Sequence, residues 1–169
     1  MTVYTTTHSP LGELLLVGEE SATAKGGTAL TSLSVPGQRF GVAAPEAGWR
    51  EDRAAFAEIL GQLTAYFAGE RTCFDIEFTT AGTPFQQQVW KTVETIGYGT
   101  TLSYADVAER CGIPRSSSRA VGAAIGRNPL LVVRPCHRVV ASSGALTGYA
   151  GGMSRKEHLL ALESGRRTA

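Results

Sequence analysis

The stretch Arg134-Pro135-Cys136-His137-Arg138-Val139-Val140 gathers more groups capable of chemistry than any other part of the chain. A cysteine follows a proline, whose ring fixes φ and so restrains the backbone beside the sulfur. Cations flank it on both sides. The thiolate is the nucleophilic form of cysteine, and nearby positive charge favours it. Arg134, Arg138 and a protonated His137 would each lower the Cys136 pKa. The same residues also describe an apolar cysteine buried at a strand end, and composition does not choose between the two.

The other two cysteines, Cys73 and Cys111, stand far away. An odd number at wide spacing argues against a disulfide framework, and no CxxC pair offers a zinc site. The 169 residues are 43% apolar and 18% charged, enough to bury a core and too little charge for a disordered chain. No apolar run approaches the ~18 residues of a membrane span. The start, Met1-Thr2-Val3-Tyr4, lacks the basic flank and apolar stretch of a secretory signal. A cytoplasmic location is expected. The net charge of +1 hides an asymmetry: residues 1–83 hold five Lys/Arg and ten Asp/Glu, whereas residues 84–169 hold eleven and five. That split suggests two units, the second facing a polyanion.

The elements that must position Cys136 follow from periodicity. Ser9-Pro10-Leu11-Gly12 is a turn, and Leu14–Val17 and Leu30–Val35 read as strands around the small-residue loop 21–28. Ala54, Phe56, Ile59, Leu60, Leu63 and Phe67 recur at helical spacing from Arg50 onward, until Gly69. Phe74, Ile76 and Phe78 alternate with acids as a strand does. Nothing in this half reads as a site.

The second half opens on a capping box, Thr83-Pro84-Phe85-Gln86, and a helix whose face carries Phe85, Val89, Val93 and Ile96. Ser103-Tyr104-Ala105-Asp106 is a second capping box. Its helix stops at Gly112, and after Ile113-Pro114 a third helix, capped by Ser116 or Ser117, runs to about Gly126. Helix, short turn, helix is the helix-turn-helix arrangement, which many helical hairpins share. Ala120, Val121, Ala124 and Ile125 can face inward, while Gly122 and Ala123 keep the outer face slim, with Arg119 near its start. Leu130–Val133 reads as a short buried strand. Ser154 can cap a last helix, which puts Glu163 on the same face as Leu159 and Leu160. A Glu at a helix C-terminus opposes the helix dipole, which suggests a partner.

These motifs together resemble the O6-alkylguanine-DNA alkyltransferases. The resemblance rests on Pro135-Cys136-His137-Arg138-Val139, Phe85-Gln-x-x-Val89-Trp90, Ser103-Tyr104, Arg119-Ala120-Val121-Gly122, Asn128-Pro129, Ser143-Gly144, Gly148-Tyr149 and Gly151-Gly152, in order and spacing. It is strong over about residues 84–163. It is weaker over 1–80, through Ser9-Pro10-Leu11-Gly12 and Tyr66-Phe67-Ala68-Gly69. It implies an α/β N-terminal domain with a ribonuclease-H-like sheet (1–80) and a mostly helical C-terminal domain with the helix-turn-helix (84–169). It also implies irreversible transfer of an alkyl group from guanine O6 to the cysteine of a protein that acts once, with thymine O4 an open second substrate. No cofactor or metal is implied. The expected partner is double-stranded DNA, bound by a monomer that could assemble cooperatively, with no membrane.

By the same resemblance Cys136 is the nucleophile, His137 a base acting through a water, and Glu163 the carboxylate that orients it. Asn128 buttresses the turn and Tyr104 returns a proton to the departing guanine. Arg119 fills the gap left by a flipped base. Ser103, Ser117, Ala120, Ala123 and Arg127 belong to the DNA-facing set, and the slim helix enters the minor groove. Tyr149, Val139, Pro135 and the backbone of Ala150 form the pocket. Arg134 departs from the family, which mostly carries Ile or Val there. It is expected to be partly exposed and to hold a phosphate or carboxylate. Two other classes remain at this stage: a regulator that binds damaged bases without transfer, and a thiol hydrolase using Cys136 and His137. Label on Cys136 after exposure to methylated DNA excludes the first, and turnover beyond one equivalent would favour the second.

Overall fold

The computed structural model describes residues 1–146 and 148–165. Strands β1 (Thr2–Ser9), β2 (Gly12–Glu20), β3 (Thr28–Ser34) and the two-residue β4 (Arg50–Glu51) form a mixed sheet in the order β3-β2-β1-β4. The β1–β2 and β2–β3 pairs are antiparallel, and β4 is parallel to β1. Successive strand residues point to opposite faces. Burial of all of Leu14–Gly18 therefore means that both faces of the inner strand β2 are covered. Helix α1 (Ala57–Phe67), entered through a 3-10 turn at Arg53–Phe56, buries Ile59, Leu63 and Tyr66. The helical spacing seen from Arg50 is thus divided: its first two residues pair with β1, and Asp52 caps the turn by accepting from the Ala55 N–H.

The expected strand at Phe74–Phe78 is not a full strand. Gln62 accepts from the Asp75 N–H (2.8 Å) and donates to the Asp75 carbonyl (2.9 Å), so a side-chain amide replaces a neighbouring strand there. Only Phe78 bridges to Leu30.

The C-terminal domain is helical: α2 (Pro84–Val93), α3 (Tyr104–Arg110), α4 (Ser118–Gly126) and α5 (Met153–Glu163), with a two-stranded parallel ladder of β5 (Leu102–Ser103) and β6 (Val139–Val140). Both capping boxes form. Helix α3, a turn through Gly112 (φ 78°), a 3-10 turn at Arg115–Ser117 and α4 make the helix-turn-helix. Glycine suits that turn because a Cβ disfavours positive φ. Ser154 lies inside α5 and does not cap it; Gly152 (φ 91°) occupies the cap position. The two domains share one apolar cluster, which runs from Leu16, Leu30 and Leu33 to Val89, Val121 and Leu159.

The expected strand at Leu130–Val133 is a turn anchored to the sheet. Leu130 bridges to Leu33, then the Val133 N–H bonds to the Leu131 carbonyl and the Arg134 N–H to that of Leu130. Val132 adopts φ 71°, a conformation that β-branched residues rarely take. This bend carries the chain from the sheet edge into the 3-10 turn Cys136–Arg138. Among the described residues no helix is long and apolar enough to cross a membrane.

Ser103 is buried, its Oγ accepting from the Asp106 N–H at 3.0 Å. Ser103→Ala is expected to lower the unfolding free energy by about 1 kcal/mol. Urea denaturation measures this, and an unchanged midpoint would show that the cap contributes nothing.

Candidate active site and nucleic-acid face

The site is built around a buried carboxylate. Glu163, on the last turn of α5, takes four hydrogen bonds: Tyr66 Oη donates to Oε2 (2.5 Å), His137 Nε2 to Oε2 (2.7 Å), and Arg138 through Nε to Oε1 (2.7 Å) and Nη2 to Oε2 (3.0 Å). Burial alone would push the Glu163 pKa up. The bonds from His137, Arg138 and Tyr66 outweigh it and hold the group down at about 2. An ionised carboxylate only accepts, so His137 must carry its proton on Nε2. Burial lowers the His137 pKa, so the ring is neutral near pH 7. Nδ1 is then a bare base. It is buried and has no hydrogen-bond partner among the described residues.

Cys136 follows the bend and is 2% exposed. Asn128 Nδ2 donates to its sulfur at 3.1 Å and also reaches the Leu130 carbonyl (3.2 Å), tying the cysteine and the bend together. The thiol pKa is raised to about 11, which favours the buried-cysteine alternative over a thiolate held by flanking cations. Burial is the main cause, opposed by the Asn128 bond and the charges of Lys156 and Arg134. Arg138 does not serve the sulfur; it is committed to Glu163 and to the Ile96 carbonyl (2.5 Å). Arg134 is 2% exposed rather than partly exposed, because it packs over Trp90 and Phe78. It does hold a carboxylate, that of Glu94, at 2.9 Å.

Tyr104 begins α3 and its hydroxyl donates to the Gly148 carbonyl at 3.2 Å. The Tyr149 hydroxyl is buried without a hydrogen-bond partner among the described residues, close enough to Cys136 to feel its charge. The Ala150 carbonyl accepts from the Arg39 N–H at 3.4 Å. Pro135 and Val139 flank the Cys136–Arg138 turn and are buried.

On α4, Arg119, Ala120 and Ala123 are exposed; of the residues that flank it, Arg127 is exposed and Ser117 half-buried. Ala120 therefore faces outward, and Val121, Ala124 and Ile125 alone fill the inner face. Arg127 stacks over Phe40 of the 36–49 loop, its guanidinium carbon 3.7 Å from the ring centroid. Ser103 is buried, its side chain given to the cap.

Three residues of the site do not emerge from the sequence in the roles they take. Lys156 is fully buried. Its ammonium donates to the Val139 carbonyl (2.6 Å), and burial lowers its pKa to about 8. A signal existed: Lys156, Leu159, Leu160 and Glu163 share one helix face, so a cation interrupts an apolar stripe. Tyr66 brings the N-terminal domain into the site, against the expectation that this half holds none. A tyrosine on the buried face of α1 requires a hydroxyl partner. Arg138, expected to act on the thiol, pairs with Glu163 instead. Among the described residues no group of three or more His, Cys, Asp or Glu is placed to hold a metal.

A buried cysteine next to an imidazole held by a carboxylate, in one chain with a helix-turn-helix of slim outer face, fits the class of DNA-binding proteins with a reactive cysteine. Comparison with known proteins narrows the class. Residues 84–165 match the profile of the 6-O-methylguanine DNA methyltransferase DNA binding domain, and residues 2–80 that of its ribonuclease-like domain. The chain belongs to the 6-O-methylguanine DNA methyltransferase family. It is 47% identical over 163 residues to a methylated-DNA–protein-cysteine methyltransferase of Mycolicibacterium paratuberculosis, covering 96% of this chain and 93% of the relative. It is 40% identical over 172 residues to the constitutive enzyme of that name from Bacillus subtilis, covering 96% of each. The structure of Mycobacterium tuberculosis OGT in complex with DNA superposes with a TM-score of 0.87 at 46% identity, covering 99% of this chain and 96% of that one.

The folded Glu163 pKa, about 2, lies below its ordinary 4.5. The stability this shift contributes is complete above 4.5 and disappears as pH falls toward 2. Glu163→Gln is expected to flatten that part of the stability–pH curve and to reduce overall stability, because it leaves the buried Arg138 charge without a counterion. Denaturant midpoints measured across this range check both.

Proposed function

We propose that this chain repairs alkylated DNA by taking the alkyl group of O6-alkylguanine onto Cys136, one group per molecule. The observation that carries the proposal is the Asn128–Cys136 contact beside a neutral His137 whose tautomer Glu163 dictates. The methyltransferase relatives and the DNA-bound structure support alkyl transfer to cysteine as the reaction and DNA as the partner. They do not favour a binding-only regulator.

The chemistry follows from the geometry. His137 Nδ1 accepts the Cys136 proton, through a bridging water as in the resembling family. The sulfur attacks the alkyl carbon in line; the S–C bond forms as the C–O6 bond breaks, and the electron pair leaves with guanine. A proton passes to the guanine from the Tyr104 hydroxyl, which recovers one from the protein, so the proton lost by the thiol is balanced. The product is a thioether, which neither water nor a thiol reverses readily, so the protein is consumed. Lys156 and Arg134 supply the positive charge that a buried thiolate needs. Their effect grows as the incoming base excludes water.

The alkylated base must leave the duplex to be reached. Cys136 is 2% exposed, so the extruded base must be taken into the fold to meet the sulfur. Arg119, exposed near the start of α4, is suited to fill the gap in the stack. The slim surface of Ala120 and Ala123 suits the minor groove, which carries little sequence information. That fits repair at any sequence.

Exposure to an O6-methylguanine duplex is expected to raise the intact mass by one methyl group, on the peptide containing Cys136, and Cys136→Ser is expected to gain nothing. Label elsewhere, or turnover beyond one equivalent, would overturn the assignment. Arg119→Ala is expected to slow transfer from duplex roughly tenfold or more, the scale set by unstacking a base. Transfer from a free O6-alkylguanine base is expected to change little. Single-turnover kinetics on both substrates decide it.

A further inference from the structure

Arg134 is buried inside a mixed apolar and polar cage, an expensive place for a cation. Each edge of its guanidinium is occupied: Nε donates to Glu94 Oε2 (2.9 Å), Nη2 to Thr80 Oγ1 (3.2 Å) and Nη1 to Asn128 Oδ1 (3.2 Å). Its carbon stands 4.8 Å from the Trp90 ring centroid and 5.2 Å from that of Phe78. An aliphatic side chain would fill this space without the desolvation cost, so the charge calls for another explanation.

The third contact supplies one. Asn128 Oδ1 accepts from both Arg134 Nη1 and the Leu130 N–H (3.0 Å). With two donors fixed on its oxygen, the amide can present only Nδ2 to the Cys136 sulfur. Rotating it by half a turn would set N–H groups against N–H groups on one side and a carbonyl oxygen against the sulfur on the other. We infer that Arg134 is a positioning residue for the transfer: it locks the Asn128 amide so that an N–H always faces the sulfur, and places a permanent positive charge one residue beyond that bond. This rests on the assignment of Cys136 as the nucleophile.

The charges around the sulfur are consistent with that role. The groups that act on Cys136 are Lys156 from α5, Arg134 from the bend and Tyr149, while neutral His137 is its neighbour along the chain. The charges of Lys156 and Arg134 both favour the thiolate, and the thiolate in turn favours the charged form of each. Lys156 is lowered to about 8 and so loses charge in mildly alkaline solution. A guanidinium keeps its charge throughout. Glu94, one-third exposed beside the end of α2, balances Arg134 from the side away from the sulfur, at the wall of an open cleft of about 490 Å³.

Three variants of the full chain test this on an O6-methylguanine duplex. Arg134→Met keeps the reach and removes the charge and donors; Arg134→Lys keeps the charge without the fork; Glu94→Gln keeps an acceptor and removes the opposing charge. For Arg134→Met the single-turnover rate at neutral pH is expected to fall about tenfold, the effect of one pKa unit, with duplex affinity unchanged and the pH–rate profile displaced to higher pH. Arg134→Lys is expected to recover part of the rate. Glu94→Gln is expected to displace the profile to lower pH. An unmoved profile in Arg134→Met, or equal losses in the Met and Lys variants, would reduce Arg134 to a packing residue and overturn the inference. Should Arg134→Met fail to fold, Glu94→Gln decides: displacement to lower pH supports the inference and no displacement overturns it. Thiolate ultraviolet absorbance, read as a difference from Cys136→Ser, follows the same titration without any transfer. If the wild type gains no methyl group, the functional assignment fails, while the absorbance titration still answers for Arg134.

Discussion

Glu163 is ionised where water hardly reaches it, and the cost of that burial dictates its surroundings. A lone carboxylate there would take up a proton. This one keeps its charge because His137, Arg138 and Tyr66 surround it with donors. The donors come from two parts of the fold: the imidazole and guanidinium from the turn carrying Cys136, the phenol from a helix of the other domain. The helix end, the nucleophile's turn and α1 are therefore fixed to one another by the same two oxygens. The tautomer of His137, and with it the direction in which a proton can move, is a consequence.

The nucleophile obeys the opposite logic. Cys136 is buried, held by one amide, and neutral at rest. A permanently ionised thiol would be open to oxidation and stray alkylation, which matters for a protein that can react only once. Under the proposed function, ionisation is left to the moment at which a base arrives, water leaves and the charges of Lys156 and Arg134 act in a drier medium. The buried cations lower the cost of forming the thiolate without forming it in advance.

The N-terminal domain takes part in this arrangement. Tyr66 completes the donors on Glu163, Leu33 anchors the bend that leads to the cysteine, and Thr80 holds one edge of Arg134. The Phe40 loop meets Arg127 at the edge of the α4 face. The chemistry lies in the C-terminal domain, but its geometry is set from both sides.

Much of this was legible in the sequence where the information is local. Capping boxes, glycine stops and helical periodicity located the helices, because those signals depend on neighbours a few residues away. The Pro-Cys-His-Arg motif marked the nucleophile, and a Glu out of place at a helix end announced a partner. Three further points depended on residues distant in sequence. Gln62 took the hydrogen bonds of the Asp75 backbone, so the alternation of Phe74, Ile76 and Phe78 did not become a strand. Glu94 and two aromatic rings closed over Arg134, so a residue that looked exposed became buried. Arg138 turned to Glu163, leaving the thiol to burial and to the charges of Lys156 and Arg134. Amino-acid order determines which groups can ionise, cap or pack. Which of them face one another, and how much water stands between, is decided only when the chain closes, because Coulomb and desolvation energies depend on distance in space and not on distance along the chain.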